Sequence, residues 1–117
     1  MTLVDTSIWA NHLRRADRRL MELLDDAEVV CHPFVIGELA CGHLGRRTEV
    51  LVLLARLPVV APVSQSEALS FVEVNDLAGS GVGWVDVHLL ASARIARATI
   101  FTADKALSRA AERLGLS

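Results

Sequence analysis

Tyrosine is absent from this 117-residue sequence, and aromatic residues of every kind make up only 4% of it. A base-stacking platform is therefore not expected. Apolar runs last only a handful of residues before a charge interrupts them, so no transmembrane helix fits. The N-terminus has neither the basic region nor the long apolar stretch of a signal peptide, and a cytoplasmic location away from membranes is expected. Cysteine is scarce, at two residues, which excludes a disulfide scaffold. Positive charge is not in excess either: the formal net charge is −2, so no strongly basic surface advertises a nucleic-acid partner. Apolar residues are what the chain has in plenty. At 52% hydrophobic, residues 1–117 suffice for the core of one domain, and intrinsic disorder is excluded.

Short apolar runs alternate with helical spacing along the chain. Thr2 to Val4 reads as a strand ending in a turn at Asp5, and Glu28 to Cys31 as a second strand. Leu20, Leu23, Leu24 and Ala27 recur at helical intervals, as do Val50, Leu53, Leu54 and Leu57. Pro33 suits the first turn of a helix reaching Gly42. Val59 and Val60 suggest a third strand, and Ser64 with Glu67 a capping box for a helix to about Ala78. After the loop Gly79 to Gly83, a helix is expected from Val85 to Arg97, then a strand from Thr99 to Thr102. Leu107, Ala110, Ala111 and Leu114 define a last helix. This alternation predicts an α/β sandwich with a mostly parallel sheet, whose ligands bind beyond the carboxyl ends of the strands.

Four acids stand apart from the mixed charge of the rest. Asp5 is the only charged residue before Arg14; Glu38, histidines aside, the only one between Glu28 and Arg46; Asp86 the only one between Asp76 and Arg94. Asp104 closes the uncharged run from Ala98 to Ala103. Asp5 and Asp104 each end an apolar strand, so a parallel sheet brings both to one edge. Glu38 shares a helix face with Val35 and Leu39, and Asp86 one with Leu89, Leu90 and Ala93. Carboxylates on such stripes are costly unless paired, protonated or bound to a cation. Singly, Asp5 and Asp104 have an ordinary explanation as helix N-caps, and Asp86 as a partner of a helix dipole. Together, the four supply hard oxygen ligands suited to Mg²⁺ or Mn²⁺.

The segments VDTSIW (Val4 to Trp9), HPFVIGEL (His32 to Leu39), GWVDVHLLASA (Gly83 to Ala93) and TADKAL (Thr102 to Leu107) resemble, in this order, the PIN-domain ribonucleases, and among them the VapC toxins of bacterial toxin–antitoxin pairs. The resemblance spans the whole chain. It implies a PIN-like three-layer sandwich with a short central sheet flanked by helices. It further implies Mg²⁺-dependent endonucleolytic cleavage of RNA, with a catalytic set of Asp5, Glu38, Asp86 and Asp104. Asp5 and Asp86 would be metal ligands, with Asp104 a third, directly or through water, and Mn²⁺ an alternative ion. A VapB-like antitoxin and a homodimer are the implied protein partners.

Other residues invite chemistry less strongly. Cys31, His32, Cys41 and His43 hint at zinc, but Cys31 and His32 would face opposite sides of a strand, and Cys41 and His43 diverge on a helix. His88 turns away from Asp86 on its helix, and Trp9 and Trp84, flanking two acid motifs, read as buried packing. Arginines 14, 15, 18, 19, 46 and 47 read as solvated surface. Two rival functions share an Asp after a strand or the same fold. A metal-dependent phosphoryl-transfer or signalling module would want a second Asp two residues after the first, where Ser7 stands, or, in a receiver domain, adjacent acids before its metal, which this sequence lacks. A catalytically silent adaptor would have no use for all four.

Overall fold

The computed structural model describes residues 1–117. Its centre is a three-stranded parallel sheet in the order β2–β1–β3, built from β1 (Thr2–Val4), β2 (Val29–Val30) and β3 (Thr99–Phe101). Consecutive strand residues face opposite sides of a sheet, and Leu3 and Val4 of β1 are both fully buried. Helices therefore cover both faces of the middle strand, as a parallel sheet requires.

Seven helices surround the sheet: α1 (Thr6–Arg14), α2 (Arg18–Asp25), α3 (Pro33–Cys41), α4 (Arg47–Arg56), α5 (Gln65–Val74), α6 (Trp84–Ala96) and α7 (Lys105–Arg113). The locally signalled ends fall where expected. Pro33 opens α3, and Ser64 and Glu67 form a reciprocal capping box on α5, with bonds of 3.1 and 2.9 Å. Asp104 accepts from the Leu107 N–H at 2.9 Å and so caps α7.

Four features differ from the sequence-based expectation, the simplest being that α5 ends at Val74 rather than near Ala78. The segment after Asp5 is the full helix α1 rather than a turn; its Ile8 and Trp9 are buried, but they are adjacent and its remaining positions are largely polar. The strand expected at Val59 and Val60 is a single parallel bridge, in which the Cys31 N–H donates to the Pro58 carbonyl and the Val60 N–H to that of Cys31. Pro58 and Pro62, which lack a backbone donor, bracket the segment and keep it short. Ala27 leaves the α2 stripe, because the helix ends at Asp25 and Ala27 takes a left-handed φ of 54°.

The loop before α6 is held tightly. Gly81 has φ of 91°, and a Cβ there would stand 3.3 Å from the Ala106 Cβ of α7. Only glycine meets both conditions without strain. The loop backbone therefore runs close against α7 at this point.

Candidate active site at the carboxyl edge of the sheet

Asp5 follows the last residue of β1 and is itself buried, at 6% exposure. A buried carboxylate needs donors, and here two hydroxyls supply them. Ser7 Oγ donates to Asp5 Oδ2 at 2.8 Å, and Thr102 Oγ1 donates to the same oxygen at 2.7 Å. Each hydroxyl carries one proton, so both are spent on Asp5, and the 3.3 Å approach of Ser7 to Thr102 is not a further bond. The hydroxyl oxygens in turn accept backbone N–H groups: Ser7 from Ala103 and Thr102 from Asp104, both at 3.0 Å. The ends of β1 and β3 are thus tied through Asp5, and Asp104 is held by the same knot.

The other three acids reach this edge from helices. Glu38, on α3, accepts from Thr6 Oγ1 at 2.6 Å, which links it to the residue next to Asp5. Asp86, in the first turn of α6, accepts from the Gly83 N–H at 3.1 Å. Asp104 caps α7. Each acid is fixed through one oxygen: Oδ2 of Asp5, Oε1 of Glu38, Oδ2 of Asp86 and Oδ1 of Asp104. The second oxygen of each is free of protein donors.

Exposure grades across the set. Asp5 is buried, Asp86 half-buried, and Glu38 and Asp104 exposed. The expectation that Glu38 faces a core stripe is therefore corrected: Val35 and Leu39 are buried, but Glu38 turns off that stripe toward Thr6 and solvent. Asp104 combines its capping role with its place in the cluster.

Asp86 senses the other three acids. The Asp86 carboxyl is pushed above its ordinary range, first by burial, with further upward contributions from the charges of Asp5, Asp104 and Glu38; the Gly83 N–H opposes this. No Lys or Arg pairs with any of them, since the ion pairs of the molecule are the N-terminal ammonium with Glu28 and Arg46 with Glu49. The donor chemistry suits a hard divalent cation. No three acids are arranged to enclose an ion by themselves, so water or substrate oxygens would complete the shell of any ion held here.

Other residues singled out in the sequence have different fates. Cys31 and His32 are buried, whereas Cys41 and His43 are exposed. His32 Nδ1 accepts from the Phe34 N–H at 2.9 Å and caps α3. Trp9 is buried as expected, but Trp84 is 42% exposed, against the expectation of packing. Trp84 is the first residue of α6, and its ring meets that of His88 edge-on at 4.8 Å. The Ser7–Thr102 pairing on Asp5, across 95 residues, had no sequence signal beyond the presence of hydroxyls near two acids.

A parallel α/β fold with acids gathered past its strands defines a class, and the comparisons agree: the PIN domain family model matches residues 2–113. The chain belongs to the PIN-domain family, and within it to the VapC type. It is 48% identical over 118 residues to Ribonuclease VapC32 of Mycobacterium tuberculosis strains CDC 1551 / Oshkosh and ATCC 25618 / H37Rv, covering 100% of this chain and 95% of those proteins. Among solved structures, FitAcB from Neisseria gonorrhoeae matches with a TM-score of 0.65 at 20% identity, over 96% of this chain and 94% of that one. FitAB bound to an IR36 DNA fragment matches at 0.62, also 20% identical, over 96% and 91%. These two likenesses concern the fold alone.

Proposed function

We propose that this protein is a divalent-metal-dependent endoribonuclease, the toxin of a toxin–antitoxin pair. One observation carries the proposal: four carboxylates at one sheet edge, each fixed through one oxygen with the other free, and no cationic side chain paired with any. The 48% identity to a ribonuclease supports RNA as the substrate.

Asp5, Asp86 and Asp104 would hold Mg²⁺ or Mn²⁺, directly or through water. The bound ion would supply charge neutralisation for the phosphate and lower the proton affinity of a water. The chain's own part is positioning and proton traffic. Ser7 and Thr102 hold the Asp5 carboxylate in one orientation, so that its free oxygen costs no reorganisation when a ligand arrives. Glu38 and Asp104, the exposed members, are the bases able to take a proton from a water attacking the backbone phosphate in line, and to release it to solvent. Hydrolysis breaks the P–O bond opposite the incoming oxygen.

The assay is cleavage of single-stranded RNA in Mg²⁺ or Mn²⁺, with and without excess EDTA. Cleavage should require the ion, and Asp5→Asn should lower the rate at least about a hundredfold. Undiminished cutting in EDTA, by protein free of contaminating nuclease, would remove the proposal.

The antitoxin would occupy the clefts flanking α1. One of about 420 Å³ is lined by His12, Leu13, Val50 and Leu53, and another of about 410 Å³ by Thr6, Leu13, Leu39 and Glu38. Leu53 is 42% exposed on the α4 stripe, while Val50 and Leu54 join the core. The second cleft ends at an acid of the site, where an antitoxin Arg would pair with carboxylates. A complex with the acids open to solvent would contradict that Arg. A homodimer is proposed alongside it; light scattering showing a monomer at high concentration would exclude one.

A further inference from the structure

Few aromatic rings argue against a base-stacking platform, yet the chain exposes two of them, one on either side of a buried imidazole. Phe34 of α3 is 38% exposed and Trp84 of α6 42%, whereas Trp9 is buried at 1%. Between the two exposed rings lies His88, with centroids 4.7 Å from Phe34 and 4.8 Å from Trp84. His32 closes the row, 5.0 Å from Phe34. The two imidazoles are 4% and 0% exposed, and each has a buried ring nitrogen, His88 Nδ1 and His32 Nε2, with no hydrogen-bond partner. Leaving such groups unpaired costs stability, and what the cost secures is a fixed seat for two solvent-facing rings.

The row adjoins the acid site on both helices. Phe34 stands one turn before Glu38 on α3, roughly 6 Å along the axis. Trp84 is two residues before Asp86 and directly follows Gly83, whose N–H holds the Asp86 carboxylate. A strand whose phosphate lies at the acids therefore has a neighbouring nucleotide within reach of the rings. Resting on the ribonuclease proposal, we propose that Phe34 and Trp84 form a base-stacking subsite, on which an unpaired nucleobase next to the cleaved phosphate lies. Such a contact accepts any base, because every base has a π-face, and it favours single-stranded or looped RNA over a duplex.

Trp84 reports on its own occupancy, since the other tryptophan is buried. The full chain, in EDTA to prevent cleavage, is titrated with oligo(U), oligo(A) and an abasic ribose-phosphate oligomer of equal length while tryptophan fluorescence is followed; cleavage in Mg²⁺ is measured separately. The base-bearing strands should change the emission and bind about tenfold more tightly than the abasic one. Trp84→Leu should erase that preference and raise KM more than it lowers kcat, and Trp84→Phe should restore most of it. Equal binding of base-bearing and abasic strands, or unchanged emission at saturation, overturns the subsite, even if the RNA is still cleaved. Emission that answers only to an added antitoxin overturns it in favour of a protein contact. A base preference without cleavage in Mg²⁺ upholds the subsite and removes the nuclease instead.

Discussion

Helices α3 and α6 each carry one acid of the site and one imidazole of the ring row: Glu38 and His32 on the first pair of turns of α3 and its cap, Asp86 and His88 on α6. Asp86 and His88, two residues apart, are displaced in opposite directions for the same leading reason. Burial pushes the Asp86 carboxyl up and the His88 imidazolium down, so each leans toward its neutral form. The two regions then part company. Around the imidazoles nothing restores charge, and His32, fully buried and near His88, is pushed down to about 4. Around Asp86 more negative charge accumulates, from Asp5, Asp104 and Glu38. A core that expels charge is arranged for stability. An edge that gathers like charges without cations is arranged for something that binds there. Of the acids outside the site, two meet a cation: Glu28 with the N-terminal ammonium at 3.4 Å, at the opposite end of the sheet, and Glu49 with Arg46 at 4.0 Å.

The largest effect expected on this contrast is acid sensitivity on the imidazole side. His32 has a folded-state pKa of about 4 against an ordinary 6.5. The unfolded chain therefore binds the proton more readily between those values, and stability is full above about pH 6.5 and falls as pH drops toward 4. The loss is on the order of 3 kcal/mol. His32→Asn, which keeps a side-chain oxygen able to cap α3, should flatten this slope even if the variant is less stable overall. Denaturant melts of both proteins at intervals from pH 7 to 4 measure it; equal slopes would show that the imidazole is not the sensitive group.

On the acid side, the hydroxyls come next. Thr102→Val removes one of two donors to the buried Asp5 carboxylate and the acceptor of the Asp104 N–H, at similar shape. A hydrogen bond to a charged group is worth about 1.5–3 kcal/mol, so a destabilisation near 2 kcal/mol is expected without bound metal. Thr102→Ser, which retains the hydroxyl, should recover most of it. Ser7→Ala acts on the same oxygen, so the double variant should depart from additivity. A Thr102→Val protein as stable as wild type would mean that Asp5 is not held as described.

Much of this was legible in the sequence, and the reason lies in distance along the chain. The Ser64–Glu67 box and the Asp104 cap close within three residues, so local chemistry suffices to predict them. The four acids stood out because solvated surfaces mix their charges and these segments do not. Helix α1 was harder, because Ile8 and Trp9 are adjacent rather than a turn apart, and Thr6, Ser7 and Asn11 dilute the stripe. The exposure of Glu38 and Trp84 was not legible at all. It depends on how far α3 and α6 turn against the sheet, which packing decides and helical spacing does not. The Asp5 knot joins residues 95 and 97 positions apart, and no single segment signals it.

The smallest effect is the one that best separates a site from a set of helix caps. Asp86→Asn keeps the shape and an oxygen able to accept the Gly83 N–H, and it removes one charge from the cluster. The folded-state proton affinity of Asp86 is raised, so the folded chain holds its proton at pH values where the unfolded chain has released it. By linkage, ionised Asp86 costs stability as pH rises above the ordinary carboxylate range, and the cost persists at neutral pH. Without metal, the Asn variant should match wild type or exceed it by up to about 1 kcal/mol. A carboxylate serving only the α6 dipole predicts the reverse, a loss of about 0.3–1 kcal/mol. Added Mg²⁺ should raise the Tm of wild type more than that of the variant, because an ion bound to the folded form stabilises it by mass action. Thermal melts of both proteins at pH 7, with and without Mg²⁺, read the sign directly. A variant destabilised without metal, with the same Mg²⁺ response as wild type, would reduce Asp86 to a partner of the α6 dipole and remove it from the site.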